Sequence, residues 1–476
     1  MRTLKCDVAV IGAGSAGLSA RSAAVAVGAH TVLIEQGPGG TTCARVGCMP
    51  SKLLIAASQA ADSVHKAPHF GVSVAGYRVE GREVMARVRR ERDRFVASVM
   101  ESVERIPANG KLSGTAQFES ATRLQIDDHT VVDARSIVIA TGSRSTIPDV
   151  LSSVKRGVLT NESIFELDTL PRSLAVLGAG PLGLELAQAM ARLGVRVALF
   201  DLGDRIAGLR DPAVLDVARK IFGEQLDLRL KVQLDHAHEV ADGVELTWRD
   251  AGGEPHSEVF EYVLAAAGRA PNLQLLALER SGLQLDSHGT PVFDRATLQC
   301  GTQPVFIAGD ANHERAVLHE ASAEGRIAGT NAATFPDVKA HARMTPLAIV
   351  FSDPNVAAIG LSFEQAQRQG AQVGHASYDD QGRAKVFLQN AGLIHLWGDD
   401  KGRLIGGEMV GPAVEHSAHL LAWCIQQKLS AREVLAMPFY HPSFEEGLRT
   451  ALRELCGKTG TLGTSEQDVM TYGPAP

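Results

Sequence analysis

The apolar positions of this chain come in short runs broken by glycine. Residues 6–36 read CDVAVIGAGSAGLSARSAAVAVGAHTVLIEQ: an apolar run, a tight glycine turn, an alanine-rich stretch, then a second apolar run that closes on Glu35. Short apolar runs bounded by turn residues suit buried strands, and the longer segment between them suits a helix. The order strand–turn–helix–strand returns in SLAVLGAGPLGLELAQAMARLGVRVALFD, which closes on Asp201. Pro181 stands there at the first helical position, where its missing N–H is not needed. Three further runs end in glycine beside a polar residue or a turn, at Thr141-Gly142, Gly268 and Gly309-Asp310. Around residues 83–99, Val84, Val88, Phe95 and Val99 fall on one helical stripe opposite RVRRERDR, which predicts a solvated amphipathic helix. From about residue 345 the runs read as strands and helices without the glycine turn, a third domain; the Gly-, Thr-, Ser- and Pro-containing tail after about 460 reads as loosely ordered.

The glycines carry chemistry. In Gly12, Gly14 and Gly17 the first glycine permits the turn, the second lets backbone approach a pyrophosphate, and the third lets helix pack on strand. The helix N-terminus then faces the phosphates, and an acid at the end of the next strand can accept ribose hydroxyls. Gly178, Gly180, Gly183 and Asp201 repeat the set, so two nucleotides in two domains are expected. The length of 476 residues suits roughly two to four domains. A net charge of −7, from 47 basic and 54 acidic residues, argues against a nucleic-acid partner. No apolar stretch approaches the ~18–20 residues of a membrane span, and the start lacks a signal-peptide layout, so a cytoplasmic protein is expected.

One stretch, GGTTCARVGCMPSK, places two of the six cysteines at positions 43 and 48. The spacing is too wide for a thioredoxin-type pair, and there is no second pair for a zinc site. In the cytosol thiols stay reduced unless they act, so the pair points to chemistry. In an ideal helix such residues lie roughly 8–9 Å apart, whereas a disulfide needs about 4.4–6.8 Å. Bridging therefore requires a distortion, for which Gly47 supplies freedom, with Pro50 starting the regular helix beyond.

Two nucleotide turns flanking such a pair resemble the flavin-dependent pyridine nucleotide–disulfide oxidoreductases. Within that family the chain is most similar to the dihydrolipoamide dehydrogenases. The matching pieces are the first turn with Glu35, TCARVGCMPSK, IATG, the second turn with Glu185 and Asp201, AAGRAPN, FIAGD with LHEA, and YHPSFEE. The resemblance implies an α/β fold with two Rossmann-like domains, for FAD (1–145 and 273–340) and for NAD (146–272). A C-terminal α+β domain (341–460) would form a homodimer, and 461–476 would be tail. It implies FAD contacts from Gly12, Gly14, Gly17, Glu35, Thr42, Lys52, Ala116, Thr141, Gly142, Asp310, Leu318 and His319. NAD contacts would come from Gly178, Gly180, Gly183, Glu185, Asp201 and Gly268. Cys48 would be the charge-transfer thiolate nearer the flavin, and Cys43 the thiol that exchanges with substrate. Lys52 would pair with Glu185 near the flavin. His441 would be the base, oriented by Glu446 and serving the disulfide of the other subunit. The implied partners are a second copy, a small-molecule or lipoyl dithiol, and possible membership of a 2-oxo acid dehydrogenase complex; no metal is implied.

The chain also departs from the family's usual pattern. Thr41 stands where glycine is usual and Arg45 where asparagine is usual. Pro181 replaces a bulkier residue, Phe439 and Tyr440 precede His441, and Ser443 replaces threonine. Arg45 and the aromatic pair could favour a disulfide other than lipoamide. Two alternatives therefore stay open: an NAD(P)H-dependent reductase of another disulfide, glutathione-reductase-like, and a flavoprotein binding subunit with a vestigial disulfide. Against the first, Asp201 would repel a 2′-phosphate; the extra C-terminal cysteine pair of mercuric and large thioredoxin reductases has no counterpart after Cys456.

Overall fold

Val8, Ala9, Val10 and Ile11 are all buried in the computed structural model, which describes residues 2–250 and 252–461. The expectation of a loosely ordered tail falls, from residue 462 on, outside them. A strand hidden on both faces belongs at the centre of a parallel sheet, and β1 (Arg2–Ile11) lies there, between β2 (Thr31–Glu35) and β6 (Thr130–Ile139). The sheet runs β3-β2-β1-β6-β5-β4, with β3 at Lys111–Ser113, β4 at Ala116–Ser120 and β5 at Arg123–Ile126. Helix α1 (Ser15–Ala26) follows the first glycine turn; α2 (Thr42–Val46), α3 (Cys48–Lys66) and α4 (Gly81–Glu104) follow β2.

A second parallel sheet begins with β8 (Val158–Leu159), after the short β7 (Ser143–Ser145). Its order is β11-β10-β9-β15-β8, built from β9 (Ser173–Leu177), β10 (Arg196–Asp201), β11 (Asp227–Leu230) and β15 (Tyr262–Ala265). Helices α5 (Pro181–Arg192) and α6 (Pro212–Gln225) connect its strands, and β12–β14 (within 234–260) form an antiparallel layer. The chain then returns through β16 (Arg269–Pro271), which pairs with β7, to β17 (Val305–Ile307), which extends the first sheet beside β6. Helix α7 (Leu318–Thr334) crosses α1 closely. A Cβ on Gly325 would lie 2.2 Å from the Ala16 carbonyl oxygen, and one on Gly329 would lie 2.0 Å from that of Ala20.

The last unit is an antiparallel sheet in the order β18-β19-β22-β21-β20. Its strands are β18 (Leu347–Val350), β19 (Asn355–Gly360), β20 (Gln372–Ser377), β21 (Leu393–Gly398) and β22 (Leu404–Gly411). Around it lie α8 (Phe363–Arg368), α9 (Gly382–Val386), α10 (Val414–Gln426), α11 (Ala431–Leu435) and α12 (Glu446–Lys458). The architecture is the expected one: two dinucleotide-binding α/β units and a C-terminal α+β unit. None of the described helices is long and apolar enough to cross a membrane.

The helix expected around 83–99 exists, but its buried line runs Met85, Val88, Arg92, Val96, and Phe95 is exposed. The buried stripe is rotated by about one residue because Arg92, from the basic run, enters the interior. Glu166 at 2.6 Å and Asp93 at 2.5 Å meet its guanidinium there, and a paired guanidinium tolerates burial.

The α1–α7 crossing and an open glycine in α6 give a contrast. Gly329→Ala should overpack the crossing and cost roughly 1–3 kcal/mol. Gly223→Ala, with nothing within 4 Å of the added carbon, should stabilise by about 0.5–1 kcal/mol. Thermal midpoints moving in opposite directions would bear this out; equal midpoints would show that the crossing yields.

Candidate active site

The cysteine pair straddles a break between two helices. α2 ends at Val46, Gly47 takes φ −127° and ψ −117°, and α3 begins at Cys48, two residues before the start expected at Pro50. A Cβ on Gly47 would sit 2.9 Å from the Thr42 carbonyl oxygen and 3.2 Å from the Cys43 Cα. Glycine is therefore required for space as well as for freedom. Thr41 holds φ 58° and ψ 148°, a conformation that suits glycine and costs a residue with a side chain roughly 1–3 kcal/mol. Its hydroxyl accepts the Ala44 N–H at 3.2 Å, capping α2 and offsetting part of that cost.

Cys43 and Cys48 stand as free thiols on either side of Gly47, Cys43 half-buried and Cys48 exposed. Interaction with the Cys43 thiol, and after it the Lys52 charge, hold Cys48 down to about 6. The same interaction, with burial, pushes Cys43 up. The pair therefore loses its first proton from Cys48. Lys52 Nζ lies 2.7 Å from Glu185 Oε2 and 4.7 Å from the centre of the Phe351 ring. The second Glu185 oxygen accepts the Phe351 N–H at 2.9 Å.

Around the first glycine turn a cavity of about 1030 Å³ is lined by Gly12, Gly14, Glu35, Thr42, Ala116, Thr141 and Gly142. Gly12 has φ 103° and abuts Ala140, and a Cβ on Gly17 would meet the Gly12 carbonyl at 1.8 Å, yet nothing lies within 4 Å of one on Gly14. The second turn copies this: Gly178 has φ 114°, Gly183 is blocked at 1.9 Å, and Gly180 faces open space. Glu35 accepts the Ala13 and Gly37 N–H groups, each at 2.7 Å. Asp201 accepts those of Ala179 and Gly203, each at 2.7 Å. Both acids thus brace their own turns and keep lone pairs for a ribose. Gly268 (φ 118°) follows β15, with nothing within 4 Å of an added Cβ.

Asp310 accepts the Ser143 hydroxyl at 2.6 Å, and Arg269 lies 3.8 Å away. Leu318 and His319 open α7, and the buried Nε2 of His319 and buried Oγ1 of Thr141 lack hydrogen-bond partners. Glycine cradles and orphaned polar atoms of this kind fit a dinucleotide that brings its own donors and acceptors.

His441 lies elsewhere. Its Nδ1 is 3.0 and 3.1 Å from the two Glu446 oxygens, and Glu446 also accepts the Ser443 N–H at 3.0 Å. Its side chain is 65% exposed, and within the chain it bonds Glu446 rather than either cysteine. Arg45, considered for the substrate face, instead directs its guanidinium to the Gly39 carbonyl at 2.9 Å and the Pro38 carbonyl at 3.4 Å, on the cavity wall.

Two features escaped the sequence reading. Phe351 joins the lysine–glutamate pair from the C-terminal unit. Fully buried Glu324 accepts the Gly309 N–H and the Asn312 amide, each at 2.7 Å, and is paired with Arg343. The only signal for the latter was two glutamates four apart in an alanine-rich helix.

The family model "Pyridine nucleotide-disulphide oxidoreductase" matches residues 6–325, and its dimerisation domain matches 347–452. The chain is 31% identical over 473 residues to dihydrolipoyl dehydrogenase 3 of Pseudomonas aeruginosa, covering 95% of this chain and 98% of that one. It is 30% identical over 457 residues to a mercuric reductase of Shigella flexneri, covering 93% and 80%. The fold matches the HOCl-induced flavoprotein disulfide reductase RclA of Escherichia coli with a TM-score of 0.80, at 21% identity over 94% of this chain and 99% of that one. The chain belongs to the pyridine nucleotide-disulphide oxidoreductase family. Its cofactors are FAD and a pyridine nucleotide, and it carries the family's dimerisation domain.

The thiol pair sets a pH dependence. In the reduced protein, thiolate absorbance should rise with a midpoint near pH 6, assigned to Cys48. Cys43→Ala removes the neighbouring thiol, so this midpoint should move up toward the ordinary thiol range of about 8–9. An unmoved midpoint in Cys43→Ala would refute the coupling, as would retention of the low-pH step in Cys48→Ser.

Proposed function

We propose that the protein passes two electrons between a dithiol, dihydrolipoamide, and NAD through a Cys43–Cys48 disulfide and FAD. The observation that carries this reading is the pair of free cysteines on either side of the Gly47 helix break, with Thr42, Arg45 and Val46 of α2 on the wall of the cavity around the first glycine turn. The relative at 31% identity is a dihydrolipoyl dehydrogenase, which supports the choice of dithiol. Residues 1–145 with 273–340 form the FAD-binding domain, 146–272 the NAD-binding domain and 341–460 the interface domain of a cytoplasmic homodimer.

In the forward direction one substrate sulfur attacks Cys43, breaking the enzyme disulfide and leaving Cys48 as thiolate. His441 takes the proton of the substrate thiol at Nε2, while Glu446 holds Nδ1. The second substrate thiol passes its proton to Cys43 as its sulfur displaces that of Cys43, releasing the cyclic disulfide, and the enzyme holds two electrons as a Cys43 thiol and a Cys48 thiolate beside protonated His441. Bound FAD supplies the route by which that electron pair leaves Cys48 for the nicotinamide. Lys52, held by Glu185, supplies positive charge beside Cys48.

Steady-state assays with NADH should give a kcat/KM for lipoamide at least tenfold above that for glutathione disulfide. The reverse order would select the glutathione-type reading, and inactivity with every disulfide would select a binding role. NADH should exceed NADPH, because a 2′-phosphate beside Asp201 brings like charges together, which costs several kcal/mol.

The exposed His441 suits a base that serves the partner's disulfide. Cys48→Ser and His441→Ala homodimers should each be nearly inactive. Random subunit exchange between them makes about half the dimers hybrid, each with one intact site, so about a quarter of wild-type activity should return. Verified exchange without recovery would place each site within one chain.

A further inference from the structure

Four cations on and around the loop that follows Asp201 — Arg205 and Arg210 in it, Arg219 on α6 and Lys231 after β11 — are each already engaged by a carboxylate. Arg205 Nη2 lies 3.3 Å and Arg210 Nη1 3.5 Å from Glu364 Oε1. Lys231 Nζ and Arg219 Nη2 each lie 3.1 Å from Asp204 Oδ2. The loop is tied to the acid at the strand end: Gly203 donates its N–H to Asp201, and Lys231 donates its N–H to the Gly203 carbonyl at 2.8 Å. Arg205, two residues beyond Gly203, is thus the cation next to Asp201 along this turn.

Glu364 is not part of the nucleotide domain. It stands on α8 of the C-terminal unit, a short helix fixed by a reciprocal cap between Ser362 and Gln365. Its second oxygen, Oε2, is buried without a hydrogen-bond partner. A polar recess of about 450 Å³ lies beside it, lined by Arg210, Ser362, Gln365 and Arg368. A carboxylate held in this way by another domain fixes where the two arginines spend their charge. It does so at the edge of the site where a nucleotide's ribose would lie.

We propose that Glu364 determines coenzyme choice: by engaging Arg205 and Arg210 it withholds from the nucleotide the cations that would receive a 2′-phosphate, and Asp204 does the same to Lys231 and Arg219. Discrimination against the phosphorylated coenzyme then has two parts. Asp201 repels the phosphate directly, and Glu364 removes its counter-charge from across a domain boundary. This rests on the reading that Asp201 borders the ribose.

The test uses the holoenzyme, with adenosine 5′-monophosphate and adenosine 2′,5′-bisphosphate as calorimetric probes beside kcat/KM for NADH and NADPH. Glu364→Gln, which keeps the shape and removes the charge, should tighten the bisphosphate about tenfold while changing the monophosphate less than about twofold. Its KM for NADPH should fall with little change in kcat, and Glu364→Ala should behave alike. Adding Arg205→Ala to Glu364→Gln should abolish most of the gain. If Glu364→Gln and Glu364→Ala leave bisphosphate affinity unchanged while Asp201→Asn alters it, the assignment to Glu364 is overturned and the ribose site stands. If Asp201→Asn changes neither probe, the placement of the ribose is overturned and this inference with it.

Discussion

One buried carboxylate holds the three parts of this molecule in register. Glu185 sits in α5 of the second unit, accepts Lys52 from the first at 2.7 Å and accepts the Phe351 N–H of the third at 2.9 Å. An ionised group so deeply buried is costly unless its oxygens are satisfied; here both are, each by a different unit. One helical turn further along α5, Gln188 exchanges hydrogen bonds with the Asp353 backbone at 2.7 and 2.8 Å, and Arg192 reaches the Asp353 carboxylate at 2.8 Å. Lys66, at the far end of α3, meets the same carboxylate at 3.4 Å. α3 and α5 are thus pinned side by side against the turn between β18 and β19 of the C-terminal sheet.

That pinning explains how the cysteine pair acquires its character. Lys52 is in α3, one turn past Cys48, and a lysine left free on a helix would spend most of its time in water. Glu185 and the Phe351 ring keep its ammonium close, where its charge eases ionisation of both cysteines. The asymmetry comes from the interaction of the two thiols across the broken helix, which lowers Cys48 and raises Cys43. One sulfur is thereby prepared to hold an electron pair and the other to keep its proton.

Much of this was legible in the chain because the features concerned are local. The two glycine turns and the strands around them follow from short spacings, the Lys52–Glu185 pair, far apart in the chain, from resemblance alone, and the structure brings each together as expected. Glu35 and Asp201 are at the strand ends as read, although they also brace their own turns, which spacing alone does not reveal. The readings that shifted depend on distant partners. Arg92 looked like a surface charge because Glu166, which makes its burial tolerable, lies in another unit. Arg45 looked free to face substrate because its acceptors are backbone carbonyls, which carry no sequence signature. Phe351 and Glu364 take their significance from contacts across domains, and Glu324 from backbone and amide groups 12 and 15 residues away, and no periodicity encodes those.

The repetition of the nucleotide turn has a consequence of another kind. Ala13 and Ala179 each donate to an acid at 2.7 Å, Gly17 and Gly183 are blocked at nearly the same distance, and Gly14 and Gly180 open on empty space. The molecule therefore contains its own internal control. A methyl added at the blocked glycine of either turn acts on the fold, and one added at the open glycine acts on whatever docks there. Matched substitutions in the two halves separate what a turn demands of its backbone from what each ligand demands of the turn, with temperature, solvent and the rest of the chain held in common.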